Sequence, residues 1–159
     1  MRVYFLRHGK SASQLTWTED DGLRPLTEEG IEGMRREAAT FAALGVKPDV
    51  IITSPLTRAR QTAEIVAESL GMSETLVEDE RLAPGFDCVR LAKIIDDYPN
   101  AGSIMVVGHE PDMSAAVSKL IGGGRLQLKK GGLATVEVVE RVGDFVFGVL
   151  VSLMTPAHL

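Results

Sequence analysis

Cysteine is almost missing from this chain: Cys88 stands alone in 159 residues, so no intramolecular disulfide can form. A reducing compartment is the natural setting for such a chain. Long apolar runs are missing too, and no segment approaches the length needed to span a membrane. The opening stretch MRVYFLRHG turns charged after four apolar residues, too soon for a signal-peptide core, so a cytoplasmic protein is expected. An excess of basic charge is also lacking, since 17 Lys and Arg face 22 Asp and Glu for a formal net charge of −5. That balance disfavours a broad nucleic-acid surface, which needs clustered cations. A small cationic pocket needs only two or three local charges and remains open.

What is present is ordinary globular composition, 45% apolar and 25% charged, at a length that suits one domain over residues 1–159. Residues 2–6 are apolar and β-prone and stop at Gly9, which reads as a short buried strand. Residues 10–26 are polar and read as a long loop, with Glu19-Asp20-Asp21 as a solvated acidic run. A helix follows in PLTEEGIEGMRREAATFAALG, with Thr27 as N-cap, Leu26 and Ile31 at staple spacing and Gly45 at the stop. PDVIITSP reads as a second buried strand. It feeds a second helix with Ser54 as N-cap, Pro55 at the first helical position and Gly71 at the end.

A short strand near Thr75–Val77 and a helix near Val89–Tyr98 come next. SIMVVGHEPDMSAAVSKLIGG then repeats the order of apolar strand, abrupt turn and helix. Gly122-Gly123-Gly124 reads as a helix stop and loop. Residues 133–139 and 145–153 read as an antiparallel pair joined near Gly143-Asp144. The alternation predicts an α/β fold, a three-layer α/β/α sandwich whose mixed, mostly parallel sheet is covered on both faces.

Two chemistries compete for VYFLRHGKSAS. Gly9-Lys10-Ser11 looks like the tail of a Walker A loop, but that motif requires a glycine at position 4, which is Tyr4. No helix is predicted to start at Lys10-Ser11 either, and the Walker reading fails. A cysteine phosphatase loop around Cys88 would need arginine at position 94, which is Ile94. HEPDM supplies only His109 beside Glu110 and Asp112, with no H-E-x-x-H, so no metal site is expected.

Position favours a phosphate site. Ligands of open α/β sheets bind beyond the carboxyl ends of the parallel strands. Three predicted strands end in suitable residues: Arg7-His8-Gly9, the helix turn carrying Arg58, and Gly108-His109. Each alone is an ordinary polar residue. Arg58 is nevertheless misplaced on dipole grounds, because a cation at a helix N-terminus is disfavoured unless an anion sits there.

This constellation resembles the histidine phosphatase superfamily, also called phosphoglycerate mutase-like. LRHGKS, RPLTEEG, ITSPLTRARQTAEIV and VVGHEPDMS match four of its segments in order, from residue 2 to about residue 118. The compact length is most similar to the SixA-type phosphohistidine phosphatases. The resemblance implies that His8 is the nucleophile and that Arg7, Arg58 and His109 hold the phosphoryl oxygens, without metal or cofactor. Cationic neighbours are expected to depress the pKa of His8. Gln14 stands where an asparagine often does and is a candidate phosphate donor, while Lys10 replaces the family's frequent glutamate or glutamine.

Glu80 falls about where the superfamily's acid lies, with Asp79 adjacent. Trp17 reads equally as a substrate contact or a hydrophobic plug, and Lys129-Lys130 as surface lysines beside a turn. The implied substrate is a phosphorylated protein, most of all a phosphohistidine. A small phosphate ester, or a phosphate-binding module without turnover, stays as an alternative.

Overall fold

The computed structural model describes residues 1–156. Its centre is a six-stranded sheet in the order β3-β2-β4-β1-β5-β6. Strands β1 (Arg2–Arg7), β2 (Val50–Thr53), β3 (Leu76–Glu78) and β4 (Ser103–Gly108) are mutually parallel. β5 (Leu133–Val142) and β6 (Phe145–Met154) form an antiparallel hairpin on the flank of β1. The mixed, mostly parallel α/β sheet expected from the sequence is therefore the observed one.

Among the described residues four α-helices cover it: α1 (Glu28–Ala43), α2 (Thr57–Leu70), α3 (Cys88–Asp97) and α4 (Asp112–Leu120). The central strands are apolar on both sides, so each face needs its own layer. Met34, Ala38 and Phe41 of α1 join Ala59, Ala63 and Val66 of α2 over Tyr4, Leu6, Ile51 and Met105. On the other face, Leu91 and Ile94 of α3 and Met113 and Val117 of α4 pack on Val3, Phe5, Ile52 and Val106. Coverage fails at one margin: among the described residues, the α1–α2 layer reaches the outer hairpin only at Leu133 and Met154.

Helix starts follow local chemistry. The Thr27 hydroxyl accepts the Gly30 amide at 2.9 Å, and Glu28 and Glu29 place negative charge in the first turn of α1. Asp87 caps α3 by accepting the Arg90 amide at 2.9 Å. α2 departs from expectation. Its helix begins at Thr57 after Leu56, with no side-chain cap, and Ser54 lies outside it. The Ser54 hydroxyl meets His109 instead.

Candidate active site

β1 and β4 pair in register to Arg7 and Gly108, and the His8 amide then donates to the Gly108 carbonyl at 3.1 Å. His8 and His109 thus leave adjacent strands side by side, with ring centroids 5.4 Å apart. Both line a cleft of about 750 Å³ that also takes in Arg7 and Arg58. All four residues that the sequence singles out at the strand ends meet there.

His8 is oriented by its own backbone. Its Nδ1 lies 2.8 Å from the Gly9 carbonyl, which can only accept, so Nδ1 carries the proton and Nε2 keeps a free lone pair. Burial pushes the His8 pKa down to about 3, helped by His109, Arg58 and Arg7. The expected depression is present, but desolvation leads it and the cationic neighbours come second. Burial likewise lowers His109 to about 4, with Arg58 adding to it. Both imidazoles are therefore uncharged at neutral pH.

His109 Nε2 lies 2.7 Å from the Ser54 hydroxyl, which also accepts the Leu56 amide at 3.2 Å. The Ser54 hydroxyl can donate to Nε2 while it accepts the Leu56 amide, an arrangement that puts the His109 proton on Nδ1. Among the described residues, the buried side-chain atoms without a hydrogen-bond partner are Arg7 Nε, Arg58 Nε, His109 Nδ1 and Glu37 Oε2. Three of the four belong to cleft residues. Buried polar groups are nearly always paired, so these three covered nitrogens set the cleft residues apart from the rest of the interior.

The arginines are anchored through their other nitrogens. Arg7 Nη1 donates to the Leu128 carbonyl at 2.9 Å. Arg58 donates through Nη1 to the Asp21 carbonyl at 2.8 Å and through Nη2 to the Asp21 carboxylate at 3.1 Å. Asp21 also takes Arg24 Nε at 3.0 Å, and the Arg24 bond, with Arg58 behind it, holds its carboxyl below the usual range. The acidic run read as plain solvated surface thus contributes one carboxylate to the cleft.

α2 ties the pieces together. Thr62 accepts the Gly9 amide at 3.1 Å and donates to the Arg58 carbonyl at 2.8 Å. Gln61 Oε1 accepts the Leu26 amide at 2.8 Å, fastening the Pro25-Leu26-Thr27 segment to the same helix. Gly9 does not have a positive φ. A Cβ there would lie 2.7 Å from Met34 Cγ, so close packing on α1 favours glycine rather than a special turn.

The remaining candidates divide. Gln14 and Lys10 line the outer cleft, both exposed, and Lys10 pairs with Glu29 at 2.5 Å. Glu80 is exposed in a 3₁₀ turn, Glu80–Leu82, and is not part of the cleft wall. Asp79 caps that turn and grips Arg81. Trp17 donates its indole N–H to the Asp20 carbonyl at 2.9 Å, away from the cleft wall. Its neighbour Leu15 instead stands at the mouth, 96% exposed.

Sequence reasoning passed over Arg24, Asp21 and Glu110 as cleft residues and read Lys130 as surface. Only Arg24 had a signal, its place in the Arg-Pro-Leu-Thr segment. Glu110 accepts the Ser114 amide at 2.9 Å, and Ser114 in turn accepts the Leu128 amide beneath Arg7 at 2.8 Å.

An α/β sheet that delivers a buried neutral histidine and two arginines to one anion-ready cleft defines a phosphoryl-handling class. The chain belongs to the histidine phosphatase superfamily (branch 1), whose family model matches residues 3–84. It is 36% identical to an uncharacterized protein of Picosynechococcus over 139 residues, covering 84% of this chain and 82% of that one. It is 29% identical over 125 residues to the phosphohistidine phosphatase SixA of Escherichia coli, covering 77% and 76% of the two chains. A solved structure of the protein histidine phosphatase SixA complexed with tungstate superimposes with a TM-score of 0.86 at 25% identity, covering 99% of both chains. The SixA-type branch and the phosphoglycerate mutase-like architecture expected from the sequence are those observed.

Proposed function

We propose that this protein removes a phosphoryl group from phosphohistidine on a protein, through a phosphohistidine intermediate on His8. The observation that carries the reading is the convergence of Arg7, Arg58 and His109 on one cleft with an uncharged His8 whose Nδ1 is tied to the Gly9 carbonyl. His8 Nε2 attacks phosphorus in line, a new N–P bond forms, and the bond to the leaving imidazole breaks on the opposite side. Arg7, Arg58 and His109 hold the non-bridging oxygens as their charge develops. Water then attacks phosphorus, and phosphate departs as His8 recovers its lone pair.

The cationic charge such a transfer needs is supplied by guanidinium groups, so the reaction runs without a metal. Glu80 is given no part in it, since it lies outside the cleft wall, and Gln14 at the rim is a phosphate donor in reserve. A protonated imidazole leaves readily and asks little of a dedicated acid. The open cleft mouth and the exposed Leu15 beside it suit a protein-borne substrate. A second reading, a small phosphate ester with a further anionic group, is favoured by the exposed Lys10 and Lys130 on the cleft wall.

The test is phosphate release from a phosphohistidine protein, a generic aryl phosphate and a panel of phosphorylated metabolites, by the wild type and by His8→Ala. The expected result is preference for the phosphohistidine protein and a loss on the order of 10³–10⁴-fold in the variant. Preference for a metabolite gives the second reading. Phosphate binding without turnover on any substrate makes the protein a binding module, and equal turnover by His8→Ala removes His8 as nucleophile.

A further inference from the structure

The margin where the sheet lacks cover carries a second surface. β6 reads FVFGVLVSLM, ten residues without a charge, and is last in the strand order. Monomers protect such edges with lysine, proline or short length. β6 has none of these and runs without an inserted residue from Phe145 to Leu150.

Cross-strand pairing of Val142 with Phe145, Glu140 with Phe147 and Glu137 with Val149 sets those side chains on one face. It is the face of Arg2, which pairs with Glu137. α3 and α4 contact β6 from the opposite side. Val142 (58%), Phe145 (55%), Phe147 (39%) and Val149 (56%) are left bare to solvent. The inserted Val151 (52%) continues the patch to Leu44 (62%) at the end of α1, and the two line a common shallow cleft.

We propose that two copies of this chain associate across a two-fold axis through these bare faces of the β5–β6 margin. The six side chains offer on the order of 500 Å² of apolar surface. A standard interface buries about 800 Å² per partner, of which about 56–65% is apolar, so the patch matches the apolar share of one such interface. A two-fold contact presents the same patch from both sides and needs no charge complementarity. Each chain carries −5, and of the two carboxylates on this face Glu137 is paired with Arg2 while Glu140 lies beside Phe147. The same acidity, with no Lys or Arg in β6, argues against an anionic membrane as the occupant.

The proposed interface leaves both clefts open. Leu133 pairs with Leu6 beside the cleft, whereas β5 runs from there past Arg2 to a turn at the far end of the sheet.

Light scattering after size exclusion tests the idea on the full chain. The wild type is expected at twice the chain mass. Phe147→Lys and Val149→Lys are each expected at the chain mass, with unchanged circular dichroism and unchanged phosphatase rate per chain. If one variant misfolds, the other decides. Val149→Cys adds a further measure, because the native Cys88 is buried: air oxidation should give a disulfide-linked dimer on a non-reducing gel. A wild type at the chain mass well above micromolar concentration overturns the proposal, as do folded lysine variants that stay dimeric. A monomer that floats with phosphatidylcholine vesicles also overturns it and gives the face to lipid.

Discussion

A histidine is a nucleophile only while uncharged, and His8 owes that state chiefly to burial. With folded values of about 3 for His8 and about 4 for His109, both lie below the ordinary 6.5 of an unfolded chain. The sign for stability follows. Above pH 6.5 neither state binds the protons, so folding is unaffected; as pH falls below 6.5 the unfolded chain takes them first, and stability drops toward pH 4 and 3. Imidazole NMR should therefore show both rings titrating below pH 5, and bound tungstate should move them upward. Titration near 6.5 in the free protein would remove the burial account. Asp21 acts in the opposite sense, as a carboxylate on Arg58 where a phosphate would also seek charge. Asp21→Asn should tighten phosphate inhibition about two- to fivefold, the range of a half-exposed ion pair. Weaker inhibition would mean instead that Asp21 aims Arg58.

At the scale of elements, α2 is the organiser. One helix supplies Arg58, holds Leu26 through Gln61 and holds Gly9 through Thr62, so the strand-end turn and the loop before α1 depend on its placement. Thr62 is fully buried, and valine matches its shape without the hydroxyl. Thr62→Val leaves the Gly9 amide unpaired, which should lower stability by about 1–3 kcal/mol in chemical denaturation. It should also lower kcat, because His8 is then less firmly held; an unchanged kcat would reduce Thr62 to packing. The helix starts show how far local sequence reaches. Thr27 caps α1 as its position predicts, because a cap is chemistry among neighbours. Ser54 sits in an equally good cap position yet serves His109, a partner 55 residues away.

For the whole molecule, the sheet sorts function by end and margin. Parallel strands place their carboxyl ends, and with them the cleft, on one side, as open α/β sheets do. The hairpin β5–β6 extends the sheet past its helices and creates the uncovered margin. The cleft and that margin are separate, so turnover per chain should not change with protein concentration across the range in which the dimer dissociates. A rate that rises with association would mean that the partner copy reaches the cleft.

The sequence by itself determined the α/β alternation, the caps and stops of α1, and the four strand-end residues Arg7, His8, Arg58 and His109. Those features depend on near neighbours and on an order of segments that one dimension records. Only the tertiary structure decided that burial rather than charge leads in depressing His8, that Gly9 answers to Met34, and that Asp21 enters the cleft while Glu80 stays outside it. Each of those depends on how elements far apart in the chain pack together. A carboxylate in a polar run looks the same on paper whether it meets water or an arginine, and only packing separates the two.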